Sequence, residues 1–372
     1  MTFETAFDRN ALNFSGGPGA LPAVVLAETR QAIDAVPEIG LSILGVSHRS
    51  DWFAGLIEQT ERDLRALLDL PDSHAVLMLQ GGATLQFSMI PMLLLRGSGR
   101  VAEYLRTGYW SAKSIAPARL EGDVRVLWDG ERQGAGFRRL PTADELECSP
   151  EAAYLHYVSN ETVEGVQFHH IPGLDGVRRV CDMSSDFLSR PCDPERFDLV
   201  YAHAQKNLGP AGVTLVVIRR ALLDQVPPGI PDILDYRAHL QARSIYNTPP
   251  VMAIYVVSRV LRWLREDIGG LERMDALNRH KAACLYEVID RYPDVYTGWA
   301  HPADRSRMNV VFRLPTPERE ADFLHRAESA GFSGLKGHRS LGGIRASIYN
   351  GMSLAAVERL AKFMTDFARH GG

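Results

Sequence analysis

Short runs of apolar and β-branched residues alternate along most of the chain with longer segments of helical periodicity. The clearest strand patterns are HAVLMLQ at 74–80, AAYLHYVS at 152–159, VRRVCDMSS at 177–185, FDLVYAHA at 197–204 and TLVVIRR at 214–220. Short apolar runs that alternate with helical segments are typical of a mostly parallel, buried sheet. The pattern therefore predicts an α/β domain around such a sheet.

A second pattern begins after a long amphipathic segment, PPVMAIYVVSRVLRWLRED at 249–267, which ends at Gly269 and Gly270. Glycine directly after the last periodic residue is a helix stop signal. We therefore place a domain boundary at residue 266. The prediction is an N-terminal segment 1–20, a large domain 21–266 and a small α+β domain 267–372, with a strand pattern at 307–314 and helix patterns at 318–331 and 353–370.

Composition narrows the class of protein. The 372 residues are 45% hydrophobic and 23% charged, as in an ordinary soluble globular protein of two domains. The formal charge is −4, from 41 basic and 45 acidic residues, and no block of like charges predicts a nucleic-acid or membrane surface. The start of the chain lacks the apolar core of a signal peptide, and no later run approaches a membrane span, so we expect a cytoplasmic protein.

Cysteine usage predicts neither disulfides nor a metal site. The four cysteines, Cys148, Cys181, Cys192 and Cys284, show no CxxC spacing and are too sparse for a disulfide scaffold. We expect all four to be reduced thiols.

Lysine is rare in this chain, which draws attention to Lys206. Only five of the 41 basic residues are lysines, and Lys206 lies between the apolar run at 197–204 and a tight Asn-Leu-Gly-Pro turn. Arginine keeps its proton in proteins, whereas a desolvated lysine can become a neutral nucleophile. Two interpretations stay open from this stretch alone: a solvated turn residue or a catalytic amine.

A candidate anion site follows the first strand pattern. Gly81 and Gly82 lead into a helix that begins near Ala83 or Thr84. The N-terminus of a helix presents free N–H groups and a positive dipole end, and the motif is neither G-x-G-x-x-G nor a P-loop, so a single phosphate fits best. The alternative is a plain strand-to-helix turn with Thr84 as its cap.

Two further residues have candidate chemistry. Trp110, in the loop TGYWS, is either a half-buried packing residue or a plate for an aromatic cofactor. Asp182 ends an apolar run, where a carboxylate is either a helix cap or a ligand at the carboxyl end of a parallel strand. With the phosphate site and Lys206, these are the parts that hold pyridoxal 5′-phosphate.

With these parts in this order, the chain resembles the phosphoserine aminotransferase family, in the class V branch of fold-type I pyridoxal phosphate enzymes. The resemblance runs from NFSGGPGALP at residue 13 to RASIYNGM at residue 345, through SHRS, QGGATLQF, TGYWS, SNET, DMSSDFLSRP, AQKNLGPAG, YNTPP and KGHRSLGG in family order. It implies an α/β fold-type I transferase with a large, mostly parallel seven-stranded domain and a small α+β C-terminal domain. It also implies a homodimer with shared active sites.

The resemblance implies roles at the cofactor ring. Lys206 would bind pyridoxal 5′-phosphate covalently, and Asp182 would hold the proton of the pyridine nitrogen. Trp110 would stack on the ring, with Thr162 of SNET beside it.

It also implies how the cofactor phosphate is held. Ala83, Thr84 and Gln205 would bind it from the same subunit. Asn247 and Thr248 of YNTPP would reach it from the other subunit.

On the substrate side, the family pattern makes Arg345 the partner of the α-carboxylate. His48, Arg49, His338 and Arg339 would surround the distal phosphate or carboxylate. Guanidinium groups suit this task because they bind either anion through two parallel hydrogen bonds. Without the resemblance, the HRS and GHRS segments would be interpreted as solvated surface loops.

One position departs from the family pattern: residue 16 is glycine where family members often carry serine. A hydroxyl contact to substrate is lost there, although a backbone N–H contact can persist. Whether Gly16 contacts substrate is therefore left open.

The resemblance implies transfer of the glutamate amino group to 3-phosphohydroxypyruvate, giving phosphoserine and 2-oxoglutarate in serine biosynthesis. The sequence leaves open whether the related phosphorylated keto acid of pyridoxine synthesis is also a substrate. A cysteine desulfurase shares the fold but needs a nucleophilic cysteine over the site, for which Cys192 is the only loop candidate. A non-catalytic cofactor-binding protein would not need Lys206, Asp182 and both arginine clusters intact.

Overall fold

The computed structural model of the chain describes residues 9–134, 136–173 and 176–370. The first eight residues, which belong to the predicted N-terminal segment and to the signal-peptide argument, lie outside this description. Within the described ranges, no helix combines the length and the apolar character that a membrane span needs.

The strands fall into three sheets in the described part of the chain. Their bounds are β1 His74–Leu79, β2 Ala102–Arg106, β3 Val124–Asp129, β4 Tyr154–Val158, β5 Asn160–Glu161, β6 Val166–Gln167, β7 Arg179–Asp182, β8 Leu199–His203, β9 Thr214–Arg219, β10 Thr297–Gly298, β11 Asn309–Arg313 and β12 Ile344–Ser347.

Helices cover the sheets and connect their strands. Their bounds are α1 Ala23–Asp34, α2 Asp51–Leu68, α3 Gly82–Leu94, α4 Tyr109–Arg119, α5 Tyr236–Gln241, α6 Val251–Trp263, α7 Leu271–Arg291, α8 Pro317–Ser329 and α9 Leu354–His370.

The central sheet has seven strands in the order β1-β9-β8-β7-β4-β2-β3. Strands β8, β7, β4, β2 and β3 pair in parallel, and β9 runs antiparallel to both of its neighbours. The predicted mostly parallel α/β fold is thus confirmed, and each of the five strand patterns forms a strand. Strands β2 and β3, at one edge, were not among those patterns.

Both faces of the central sheet are buried, which explains its continuous apolar runs. In β1, Val76 and Met78 belong to one hydrophobic core, together with residues of α2 and α6. The intervening Leu77 and Leu79 belong to a second core, with residues of α3. The sheet is therefore a rigid platform whose strand ends can carry a site.

A third core lies in the C-terminal part of the chain. It joins α7, α8 and α9 to the antiparallel sheet β10-β11-β12, and it includes Leu12 and Phe14 from near the start of the chain. The predicted helix at 249–267 is α6 followed by one π-helical turn, Leu264–Ile268, which ends where Gly269 adopts φ 85°. The domain boundaries remain a prediction.

Candidate active site

A cavity of about 160 Å³ lies at the carboxyl ends of β4, β7 and β8, beside the N-terminus of α3. The chain brings together there seven of the residues predicted to bind a cofactor. They are Ala83, Thr84, Trp110, Thr162, Asp182, Gln205 and Lys206.

Lys206 follows β8 in a tight turn and reaches into the cavity. Its Nζ donates a hydrogen bond to Thr162 Oγ1 at 2.5 Å and lies 5.2 Å from the centroid of the Trp110 ring. Burial lowers the pKa of Lys206 to about 8, although the charge of Asp182 opposes this shift. The side chain keeps some accessible surface because it borders the cavity. A desolvated amine beside open space can react with a ligand. A solvated turn residue would not need such surroundings.

Asp182 is the last residue of β7 and is only 4% exposed. Its Oδ1 accepts a hydrogen bond from the Ser184 backbone N–H at 2.8 Å. Burial raises the pKa of Asp182, while the Ser184 hydrogen bonds and the Lys206 charge act against the increase. The carboxyl group is thus a strand-end acid rather than a helix cap.

The predicted phosphate-sized anion site corresponds to the first turn of α3. Gly81 and Gly82 have φ 89° and 69°, the left-handed region that favours glycine, and Gly81 is the N-cap. No side chain caps this helix, so the interpretation of Thr84 as the cap is wrong; Thr84 lines the cavity instead. Free N–H groups and the helix dipole therefore face the space beside Lys206.

Two buried glutamates that the sequence did not single out hold the start of α4, where Trp110 lies. Glu161 accepts hydrogen bonds from the backbone N–H groups of Trp110 at 3.1 Å and Ser111 at 3.0 Å. Glu164 accepts one from Tyr109 N–H at 3.0 Å. Burial raises the pKa of both carboxyl groups, and in Glu164 the neighbouring Glu161 adds to the effect. These contacts fix the helix end that carries Trp110.

Arg345, the second residue of β12, lies next to Thr162. Its Nη1 donates to the Thr162 carbonyl at 3.3 Å, and its buried Nε has no hydrogen-bond partner among the described residues. A Cβ atom on Gly16 would collide with this guanidinium group, so a serine at that position does not fit the present arginine conformation. Arg345 thus keeps a buried donor that no described residue uses.

Positive charge converges near Arg345. The His338 ring centroid lies 4.8 Å from that of Tyr109, and the charges of Arg345, Arg339 and Lys113 add to burial in lowering the pKa of His338. The cations Lys113 and Arg339 also lower the pKa of the Tyr109 phenol. Such a cluster is suited to a phosphate or a carboxylate.

The other seven predicted ligands do not line the cavity: Arg345, His338, Arg339, His48, Arg49, Asn247 and Thr248. His48 and Arg49 lie in the loop before α2, half-buried and exposed respectively. Asn247 and Thr248 are both exposed, and the Thr248 carbonyl accepts a hydrogen bond from Gln80 Nε2 at 2.6 Å. Their roles as ligands remain predictions.

A buried polar network, also missed from the sequence, ties the cavity to the C-terminal sheet. The Asn160 side-chain amide donates to Ser185 Oγ at 2.7 Å and to Asn309 Oδ1 at 2.8 Å. Asn160 and Ser185 border the cavity, whereas Asn309 begins β11. The SNET motif contained the signal for Asn160, but its partners become visible only in the fold.

Sulfur and metal chemistry find no support at the cavity. None of the four cysteines lines it, and burial raises the pKa of the Cys192 thiol to about 11. Over the described ranges, no three histidine, cysteine or acidic side chains form a group that could hold a metal ion.

Comparison with known proteins gives one consistent family. The family model of class-V aminotransferases matches residues 11–360. Phosphoserine aminotransferases of Rhodopirellula baltica and Laribacter hongkongensis are 48% and 49% identical, over 96% and 97% of this chain and 94% and 99% of their own.

Solved structures agree. The phosphoserine aminotransferase of Bacillus circulans subsp. alkalophilus matches with a TM-score of 0.92 and 44% identity, over 96% of this chain and 98% of its own. The pyridoxal phosphate-bound phosphoserine aminotransferase of Trichomonas vaginalis matches with a TM-score of 0.88 and 36% identity, over 95% and 99%.

Proposed function

Since the chain belongs to the class-V aminotransferase family, and within it to the phosphoserine aminotransferases, we propose that it transfers the amino group of L-glutamate to 3-phosphohydroxypyruvate. The products would be O-phospho-L-serine and 2-oxoglutarate, a step of serine biosynthesis. The observation that carries the proposal is the single cavity that Lys206, Asp182, Trp110 and the α3 N-terminus share. The related phosphorylated keto acid of pyridoxine synthesis is a second candidate substrate.

The residues around the cavity fit pyridoxal 5′-phosphate. The first turn of α3, with Ala83, Thr84 and Gln205, would hold the phosphate, because its N–H groups have no side-chain cap. Trp110 would cover the ring, and Asp182 would face the pyridine nitrogen. When bound, this group withdraws electrons from the bonds at the substrate α-carbon.

The protein groups then divide the work of moving protons. Asp182, as a carboxylate, would hold the proton on the pyridine nitrogen. Lys206 Nζ would take the α-proton of the amino acid, a role for which a pKa near neutrality is well matched. The Thr162 hydroxyl, within hydrogen-bond distance of Nζ, would orient that amine.

The arginines would orient the substrate. The unpartnered Nε of Arg345 supports its role as the partner of the α-carboxylate. His338 and Arg339, in the positive cluster beside Tyr109, would bind the distal phosphate or carboxylate.

The desulfurase alternative lacks a nucleophile, because no cysteine borders the cavity. A non-catalytic binding protein would leave the Lys206 amine and the unpartnered Arg345 donor without a purpose. Amino transfer uses both groups.

The test is a pair of half-reactions. The purified, cofactor-loaded protein is mixed with glutamate, then with 3-phosphohydroxypyruvate, while the cofactor absorbance is followed and the products are identified by mass spectrometry. We expect glutamate to convert the cofactor and the phosphorylated keto acid to restore it, with phosphoserine formed. A protein that reacts with glutamate but is restored only by unphosphorylated keto acids would keep the transaminase assignment and lose the substrate.

We further propose a homodimer with shared sites. The exposed Asn247 and Thr248 would bind the cofactor phosphate of the partner subunit. Large exposed apolar side chains near these residues and near His48 and Arg49 support an interface: Leu41 is 57% exposed, Leu44 66% and Tyr246 42%.

A complementation experiment tests sharing. A Lys206→Ala subunit is mixed with a subunit altered at Asn247 and Thr248, and heterodimers are isolated by two affinity tags. One of their two sites would combine the unaltered Lys206 with the unaltered Asn247 and Thr248, so activity should return. Pure heterodimers without activity would argue for independent sites.

A further inference from the structure

A second buried lysine, Lys281, is outside the active site. It lies on α7, is 1% exposed, and donates hydrogen bonds from Nζ to three backbone carbonyls. The acceptors are Ile348 O at 3.0 Å, Tyr349 O at 2.8 Å and Met352 O at 3.1 Å. We name residues 348–352 the Tyr349 turn.

The three carbonyls match the three N–H groups of an ammonium ion. Burial lowers the pKa of Lys281 to about 7, and the three acceptors work in the opposite direction by stabilising the charged form. An apolar side chain of similar length would fill the space but leave the carbonyls without donors.

The Tyr349 turn touches the active site at two points. The Tyr349 phenol donates to Gly16 O at 2.7 Å, beside the Arg345 guanidinium. The Asn350 backbone N–H donates to Asn207 Oδ1 at 2.8 Å, and Asn207 directly follows Lys206. The turn also continues the chain from β12, the strand of Arg345.

Helix α7 holds this turn twice. Asn278, three residues before Lys281, donates to Asn350 Oδ1 at 2.9 Å and to Ser189 O at 2.9 Å. The turn is thus fixed from the helix side by one charged and one neutral group. Both groups are 1% exposed.

We propose that Lys281 is a positioning residue for amino transfer. Its ammonium group fixes the Tyr349 turn, and the turn sets the backbone next to Lys206 and the loop that contacts Arg345. The kinetic part of this inference rests on the proposed function; the structural coupling does not.

The experiment compares Lys281→Met, which removes the charge and keeps the length, with Lys362→Met, a surface lysine on α9. Hydrogen–deuterium exchange is measured on the cofactor-loaded proteins, together with the glutamate half-reaction well below the unfolding temperature. For Lys281→Met we expect faster exchange in 345–352 and 203–209, and a kcat/KM for glutamate lowered about 10- to 100-fold, the scale of a misplaced reacting group. Lys362→Met should match the parent protein in both.

A purely structural lysine gives a different result. Lys281→Met would then unfold at a lower temperature, with unchanged kcat/KM and with faster exchange confined to α7 and the turn, and this result would overturn the proposal. A parent protein inactive with glutamate would instead refute the proposed function, and exchange at 203–209 would still decide the coupling.

If Lys281→Met does not fold, Tyr349→Phe tests the same path closer to the site. It removes the phenol O–H that donates to Gly16 and keeps the ring. We expect faster exchange at 14–20 and a kcat/KM for glutamate lowered about tenfold, the equivalent of one buried hydrogen bond. Parent-like values in both measurements would overturn the proposal.

Discussion

Two regions of this protein bury a lysine amine, and they use it differently. At the carboxyl ends of the central strands, Lys206 borders a cavity, with the Thr162 hydroxyl and the Asp182 carboxyl nearby. At the joint between α7 and the Tyr349 turn, Lys281 has three carbonyl partners, and it does not line the cavity that Lys206 borders.

The comparison separates burial from reactivity. Burial lowers the pKa of both lysines, to about 8 for Lys206 and about 7 for Lys281. A nucleophile also needs space for an electrophile and a free lone pair. An ammonium group whose three N–H groups are all hydrogen-bonded has no free lone pair. Only Lys206 meets these conditions, so a lowered pKa alone does not identify a catalytic lysine.

The largest effect should come from Lys206→Ala. Loss of the general base alone costs about 10²- to 10⁴-fold in turnover, and the covalent attachment of the cofactor is lost as well. Borohydride reduction followed by peptide mass spectrometry should find no cofactor adduct in this variant, and Lys362→Ala should keep the adduct. An adduct on Lys281 would reverse the assignment of the two lysines.

The cations around Lys206 should come next. Arg339→Leu should destabilise the transition state for the phosphorylated substrate by roughly 2 to 4 kcal/mol. The loss for glutamate should be smaller, because a phosphate offers more charge and more hydrogen-bond acceptors than a carboxylate. Arg49→Leu, if His48 and Arg49 join this pocket, should do the same. Arg345→Leu should slow both half-reactions by similar factors.

Single-turnover kinetics of each half-reaction measures these losses, with the surface variant Arg326→Leu as control. Equal losses for both substrates in the Arg49 and Arg339 variants would contradict the phosphate pocket.

A buried carboxyl group gives the counterpart to Lys281. Glu161 accepts hydrogen bonds from backbone N–H groups at the start of α4, whereas Lys281 donates hydrogen bonds to backbone carbonyls. Glu161→Gln should weaken cofactor affinity by about tenfold, the lower end of losses from residues that orient a ligand's direct contacts. Equilibrium titration of the apoprotein measures it, with the surface variant Glu358→Gln as control. An unchanged affinity would mean that Trp110 is held by packing alone.

The smallest expected effect is a shift in the pH midpoint at which the Lys206 amine loses its proton. In apoprotein labelled competitively with acetic anhydride, the Lys206 labelling rate should rise with pH through about 8, because the lowered pKa releases the neutral amine there. Asp182→Asn removes a charge that favours the ammonium form, so the midpoint should move to lower pH. Lys281 should label slowly at every pH. A Lys206 midpoint that rises in Asp182→Asn would contradict the assigned electrostatics.

The sequence predicted the apolar frame better than the polar contacts. The buried runs at 74–80 and 214–220 form strands because both faces of the sheet are covered. Strand β2 interrupts its apolar run with Glu103, which is buried and paired with Arg125, and so it was not among the predicted strands.

Local motifs likewise led to Lys206 and Asp182 but not to Lys281. In the segment RHKAACLYEV, Lys281 resembles a residue on the solvated face of a helix. Its three acceptors lie about seventy residues later, at the end of another strand. Glu161 was missed for the same reason, since the helix end that it binds precedes it by fifty residues. Such contacts follow from the fold and not from a local pattern.

The missing side chain at Gly16 has a consequence for directed evolution of this enzyme. The guanidinium of Arg345 occupies the volume that a Cβ would take, so every other amino acid at residue 16 forces the arginine into another rotamer. Saturation mutagenesis at this single codon should therefore give a set of variants that differ in the orientation of the Arg345 side chain. Variants selected from it should change the rates of both half-reactions by similar factors before they change how well the protein folds.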